Sequence, residues 1–273
     1  MKGMKTTDWR TWLTSDSQHD VYFLLNKLAR PDPSDLFYRY DWIDEAQPLY
    51  AGTPLSHLGS AGPWLVRVKW QALSGMGQYL DNNPFPDESW GWAYHSTGSW
   101  DAQITHWQHY QRMLFEGEDC ILRLFDARIA AVIIPACKPA DWASLLAPAA
   151  GCCIPSPDGN IILSRPADTG TIVPSGLFVP GRHLTEAWNN SAQSRRNITD
   201  NFYIQFWEDH SELALQLDEP PGRLMALIND YMDTCREDLT DVTWAGNALF
   251  IRYLTDQNII HPQTGITDAA RAR

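Results

Sequence analysis

Residues 90–109 read WGWAYHSTGSWDAQITHWQH, and the folding of this stretch decides the architecture of the chain's first half. Four tryptophans, three histidines and an aspartate fall within it, so it reads either as a chemical site or as a core element. The short apolar run at 91–94 follows the breaker NNPFPDES and predicts a strand. Ser99 is placed to cap a helix over 99–115, with Asp101 in the first turn, where the helix dipole favours an acid. At about 100° per residue, Trp100, Ile104, Trp107, Gln111 and Leu114 share one stripe facing a core. His109 then lies opposite the stripe and His106 about a quarter-turn from it, which predicts both in or near solvent. The two make only an HxxH pair. A catalytic zinc needs a third protein ligand and an open position, and His95 could supply that ligand only if the chain folded back. The stretch therefore predicts a strand, a cap and a helix whose tryptophans build a core. No metal and no cofactor is expected.

Working outward, VYFLL at 21–25 reads as a buried strand or a helix end, and WLVRVK at 64–69 as a strand. CILRLFDARI at 120–129 alternates Ile121, Arg123 and Phe125 against Leu122, Leu124 and Asp126, which predicts a further strand. GCCIPSPDGNIILSRP at 151–166 predicts a hairpin turning at Pro-Asp-Gly. After a Ser-, Pro-, Gly- and Thr-rich connection at 164–181 the pattern turns helical. PPGRLMALINDYMDTCREDL has proline in its first turn and sets Leu224, Leu227, Ile228, Tyr231 and Cys235 on one stripe. The segments before and after it repeat the pattern, with Thr199 and Thr240 as N-cap candidates. The expected fold is α/β (α+β): a lobe over 1–175 with a small mixed sheet flanked by helices, then a helical lobe over 176–273.

A net charge of −12 over 273 residues argues against a nucleic-acid binder, which needs a basic footprint. No stretch has the apolar length of a membrane span, and the N-terminus lacks a signal-peptide core. Five cysteines without a CxxC pair suit reduced thiols, and a cytoplasmic location is expected. Cys152 and Cys153 read as neighbours in a hairpin strand rather than a redox pair. Thirteen tryptophans exceed ordinary usage; they either fill a broad interior or serve sugar stacking or a partner surface. The chain has no GxSxG elbow, no GxxxxGK[ST] loop and no GxGxxG after a strand. Asp87, Glu88, Asp101 and Asp126 are available as carboxylates, but no spacing pairs them across a sugar cleft. Asp126 and Arg128 either form an ion pair closing the end of the 120–129 strand or grip a partner.

Taken in order, YFLLNKLARPD, PLYAGTPLSHLGSAGPWLVRV, SWGWAYHST with its helix, and CILRLFDARIAAVIIPA form a series. Over residues 20–145 this series resembles the effector-chaperone (adaptor) family of bacterial type VI secretion systems. The matching positions are Gly62 to Val66, Trp90 to Tyr94 and Arg123 to Arg128. NKLAR and Ala127 depart from the family pattern, which often has an acidic residue and a glycine at the first and a proline at the second. The resemblance implies a cytoplasmic, non-enzymatic protein that holds a cognate toxin effector and helps load it onto the VgrG spike. Its partners would be the effector and the spike, with no nucleic acid or membrane. Because aromatic residues are enriched at interfaces, Trp90, Trp92, Asp126 and Arg128 are the candidate partner-binding residues. Two other readings stay open: a carbohydrate-active hydrolase with aromatic platforms, and an immunity protein that masks a toxin.

Overall fold

The apolar run at 21–25 becomes a central strand of a six-stranded sheet, paired on one side with 64–67 and on the other with 91–96. The computed structural model describes residues 8–261 apart from 168, 171, 173, 174 and 236–241. Two compact units emerge, residues 1–193 and residues 194–273. In chain order the first contains α1 (Trp9–Leu13), β1 (Asp20–Leu25), α2 (Pro33–Arg39), β2 (Ile43–Pro48), β3 (Trp64–Val68) and α3 (Leu73–Asn82). There follow β4 (Gly91–Ser96), α4 (Trp100–His109), β5 (Arg112–Phe115), β6 (Glu118–Ile121) and α5 (Ala127–Ala136). The unit closes with α6 (Pro139–Ser144), β7 (Gly151–Ile154), β8 (Ile161–Ser164) and α7 (Arg182–Asn189).

The sheet order is β2-β3-β1-β4-β7-β8, and β5 with β6 forms a separate hairpin. Successive strand residues point to opposite faces, and both faces of this sheet are covered. That explains why every β1 residue after Asp20, and all of β4, is buried. Tyr22, Leu24, Leu65, Trp92, Tyr94 and Cys152 line one face and pack on α4, α5 and α6 through Trp107, Ala130, Ile134 and Trp142. Val21, Phe23, Val66, Ala93 and Cys153 line the other and pack on α1, α2 and α3 through Trp9, Trp12, Phe37, Met76 and Leu80. Trp92, Trp107 and Trp142 fill the first of these interiors and Trp9, Trp12, Trp42 and Trp90 the second. Trp92 and Trp107 meet edge to face at 5.8 Å, a geometry that the ring quadrupole favours.

Two glycines let backbones approach. Gly91 opens β4 at φ 144, where a Cβ would lie 2.3 Å from the Leu24 carbonyl oxygen of β1. Gly77 seats α3 on α1, and a Cβ there would lie 2.4 Å from Arg10 Cα.

Several sequence expectations change. The sheet is antiparallel at every pairing rather than mixed. Helix α4 stops at His109, six residues before the expected end at 115. Residues 112–115 instead pair with 118–121 across Glu116 and Gly117, both at positive φ, which is the handedness a tight hairpin requires. The expected strand at 120–129 ends at Ile121, and Ala127 already begins a helix. The boundary near 175 moves to 193, because α7 belongs to the first unit. Its Leu184 is buried, and His183 Nε2 donates to Asp141 Oδ2 of α6 at 2.7 Å.

The second unit holds most of α8 (Ala192–Asp209), which starts at the boundary, then α9 (Ser211–Leu217), α10 (Arg223–Thr234) and α11 (Val242–Asp256). Its core gathers Phe202, Phe206, Leu224, Ile228, Phe250 and Leu254. Thr199 is a buried residue inside α8 and not its cap. Thr240 lies outside the described residues. The prolines at 220 and 221 precede α10, whose opening N–H groups at Gly222 and Leu224 donate to Asp218 Oδ1 at 2.9 and 3.1 Å.

Candidate partner-binding surface

The opening stretch is locked inward by its own polar groups. Ser99 Oγ caps α4 by accepting from the Ala102 N–H at 3.4 Å. Trp107 Nε1 donates to the Tyr94 hydroxyl at 2.7 Å, that hydroxyl donates to Gln103 Oε1 at 2.8 Å, and Gln103 Nε2 donates to Ser96 Oγ at 2.8 Å. Buried polar groups carry little cost once paired in this way, and the chain of bonds fixes α4 on β4.

The histidines are more enclosed than the helical wheel predicts. His106 donates to the Leu145 carbonyl at 2.9 Å, and burial lowers its pKa to about 4. His95 is 5% exposed and stacks on Trp12 at 4.1 Å, with burial again lowering the pKa to about 4. Both are therefore neutral packing groups near pH 7. Cys152 and Cys153 are buried in β7, and desolvation pushes both thiols well above their ordinary range. Among the described residues, no group of three or more His, Cys, Asp or Glu is placed to hold a metal ion.

Of the four candidate partner-binding residues, two are interior. Trp92 is fully buried and donates through Nε1 to the Leu124 carbonyl at 2.6 Å. Trp90 is 3% exposed and stacks on Phe85 at 4.4 Å. With Trp9 and Phe85 it backs a cleft of about 480 Å³ rimmed by Asp8, Asp81 and Glu88. Asp81 is already engaged there by the Trp9 and Arg10 N–H groups at 2.7 and 3.1 Å. Trp92 therefore has no surface to offer a partner, whereas Trp90 meets solvent only at the back of that cleft.

Asp126 and Arg128 do form the expected ion pair, but at a helix start rather than a strand end. Asp126 caps α5, accepting from the Arg128 N–H at 3.1 Å, from Arg128 Nε at 3.0 Å and from Arg128 Nη2 at 2.7 Å. Arg123 Nη2 reaches the same carboxylate at 3.4 Å. The Asp126 hydrogen bond is the main influence raising the Arg128 pKa. Asp87 lies close enough for Arg128 to act on it. Burial works to raise the Asp87 carboxyl, yet hydrogen bonds from Ser89 and from the Arg30 N–H, aided by Arg128, hold it below its ordinary range. The Asp126 side chain is 1% exposed, whereas Arg123 and Arg128 are 46% and 37% exposed. Two cations thus share one buried anion and keep an outer face.

Beside this corner, Arg123 reaches into a groove of about 220 Å³ bounded by the β5–β6 hairpin, α5 and α7. Its lining includes Met113, Phe115, Ile129, Ile133, Phe178 and Trp188. Sequence reasoning missed these residues, although a signal was present: α5 is apolar over most of its circumference. A helix of that kind has more apolar surface than a single core contact can cover. Ala127, Ala130 and Ile134 satisfy the sheet, and Ile129 and Ile133 remain half-buried on the groove side.

Residues 21–144 match the family described as Domain of unknown function (DUF4123). This family is linked to type VI secretion effector adaptors. The DUF4123 match covers just under half the chain and runs from Val21 in β1 to Ser144 at the end of α6. It therefore includes the Asp126 corner and the hairpin and α5 walls of the groove, while α7 lies beyond it. No curated protein and no solved structure matches the chain. Among the described residues, no helix is long and apolar enough to cross a membrane.

Proposed function

We propose that this chain is a cytoplasmic chaperone or adaptor that binds a cognate type VI secretion effector and helps load it onto the VgrG spike, without catalysing a reaction. The observation that carries this reading is the DUF4123 match over residues 21–144, a family linked to such adaptors. The side chains that could have suggested chemistry support the same view, because each serves the fold. His95 stacks on Trp12 and His106 bonds the Leu145 carbonyl, both as neutral groups, Asp126 caps a helix between two arginines, and the β7 thiols are buried and protonated. The half-exposed apolar groove and its arginine give the first unit a surface suited to holding another protein.

The test is a tagged pull-down from the native bacterium under conditions that express the secretion system, with mass spectrometry of what co-purifies. Stoichiometric recovery of one toxin-like protein, with or without the spike, is the expected result. Recovery of nothing above background would overturn the reading. If the recovered toxin is inactive while bound, the chain is an immunity protein instead.

A further inference from the structure

The groove between the β5–β6 hairpin, α5 and α7 is apolar apart from Thr185 and Arg123, and no carboxylate lines it, although the chain carries a net charge of −12. Arg123 is the less engaged of the two arginines at Asp126. Arg128 makes the shorter bonds, while Arg123 reaches the carboxylate only at 3.4 Å and is 46% exposed over the Phe125 ring. Asp87 and Glu88 also act on Arg128, so the cation available for a charge-assisted bond at the groove mouth is the loosely held Arg123. The side of β5 next to the groove is already occupied, because the Leu114 N–H donates to the Phe178 carbonyl at 2.8 Å. The groove thus offers side chains rather than an open strand edge, and a guest must satisfy its own backbone, as a helix does.

We propose that this groove receives an amphipathic helical segment of the partner protein, with apolar side chains set among Ile129, Ile133, Phe178 and Trp188 and a carboxylate paired with Arg123. The identity of that partner rests on the chaperone reading above. The recognition chemistry rests on the groove alone. At about 220 Å³ it has room for a few side chains of one segment and not for a folded domain.

The first arm of the test uses the full chain and two fluorescent 18-residue helical peptides with identical leucine stripes. One is flanked by glutamates and the other by lysines, and binding is read by anisotropy. The expected result is that the glutamate peptide binds at least tenfold more tightly, against the direction that the chain's overall negative charge would impose. Arg123→Glu should reverse the order, and Ile129→Ser and Trp188→Ala should each weaken the glutamate peptide at least tenfold. Trp70→Ala, altering a tryptophan that is 77% exposed away from the groove, should change neither affinity more than twofold. Circular dichroism of each variant checks that the fold is retained, and Trp188→Ala serves if Ile129→Ser unfolds. Equal binding of the two peptides, binding of neither, or an unchanged order in Arg123→Glu would overturn the proposal.

The second arm repeats the pull-down with the groove variants. Loss of the captured toxin supports the proposal, whereas undiminished capture overturns it and leaves the chaperone reading intact. If no toxin is captured by wild type while the peptides still discriminate, the chaperone reading fails and the groove chemistry stands. Wild-type self-association abolished by Ile129→Ser in sedimentation would assign the groove to a second copy of the chain and overturn the proposal.

Discussion

Replacing Asp126 separates the two jobs that this carboxylate performs. In Asp126→Ala the Arg128 N–H loses its cap, worth about 1 kcal/mol. The charge-assisted bonds to the Arg128 side chain are lost as well, worth about 1.5–3 kcal/mol where the cation is held away from water. Arg128 is 37% exposed, so its guanidinium re-solvates and the low end applies, giving a total of about 2.5 kcal/mol. In Asp126→Asn one oxygen still accepts from the Arg128 N–H and Nε, so the cap survives. The new amide faces Arg128 Nη2 donor to donor, and the expected cost is about 1.5 kcal/mol. The assay is urea unfolding followed by tryptophan fluorescence, fitted over the transition of the sheet-bearing unit. A thermal midpoint should fall by about 5–10 °C for the alanine variant in a unit of this size. A double-mutant cycle with Arg128→Ala should give a coupling near 1.5 kcal/mol, and one with Arg123→Ala a coupling near 0.5 kcal/mol. An alanine variant within about 0.5 kcal/mol of wild type, or an asparagine variant as unstable as alanine, would refute the capping argument.

Acid should weaken the fold through His95 and His106. Each has a folded pKa of about 4 against an ordinary value near 6.5, so the unfolded chain binds more protons between those limits. Stability is therefore complete above about pH 6.5 and declines as pH falls toward 4, by up to about 3 kcal/mol for each histidine. Urea midpoints from pH 4.5 to 7.5 measure the slope, and His95→Phe, which keeps the stack on Trp12, should flatten it. Two glycines of α3 should respond with opposite signs. Gly77→Ala drives a Cβ into Arg10 and should destabilise by about 1–2 kcal/mol, whereas Gly75→Ala meets nothing within 4 Å and should stabilise by about 0.5–1 kcal/mol. Thermal melts of the pair check both signs at once. Trp107→Phe removes the donor to Tyr94 and leaves a void beside Trp92, with an expected cost of about 2–4 kcal/mol by urea unfolding.

The residues that predict the fold best are those whose neighbours in sequence are also their partners in space. Ser99 and the α4 turn behind it, the Pro-Asp-Gly hairpin of β7 and β8, and the stripe of α10 all depend on local geometry, and each was legible. The alternation at 120–129 misled because it carries two signals at once. Leu122, Leu124 and Phe125 are buried as a strand would bury them, yet Asp126 followed by a long apolar run is also a helix start. The cap won, since it satisfies the N–H groups that an extended chain would have had to pair elsewhere. Of the candidate interface, the Asp126–Arg128 pair is visible in sequence, whereas Arg123 reads there only as a position in an alternating strand. The groove was not, because it joins residues 113–133 to residues 178–188, which only the tertiary fold brings together. Trp92 is not a surface residue for a related reason: a strand covered on both faces leaves no outward side chain, while Trp90, just before that strand, is packed on Phe85.

The family match ends at α6, but the sheet does not. Strands β7 and β8 extend it beyond β4, and Cys152 and Ile154 are sealed into one core while Cys153 enters the other. Upstream of the match, Trp9 and Trp12 close the second core. The segment that can be recognised is therefore smaller than the segment that can fold. A fragment cut to residues 21–144 would bare the β4 edge between two unfilled apolar faces, which is a template for aggregation rather than a working module. Fragments for expression, fusion or transplantation between relatives should follow the sheet and not the match. The shortest of them must reach from α1 through α7.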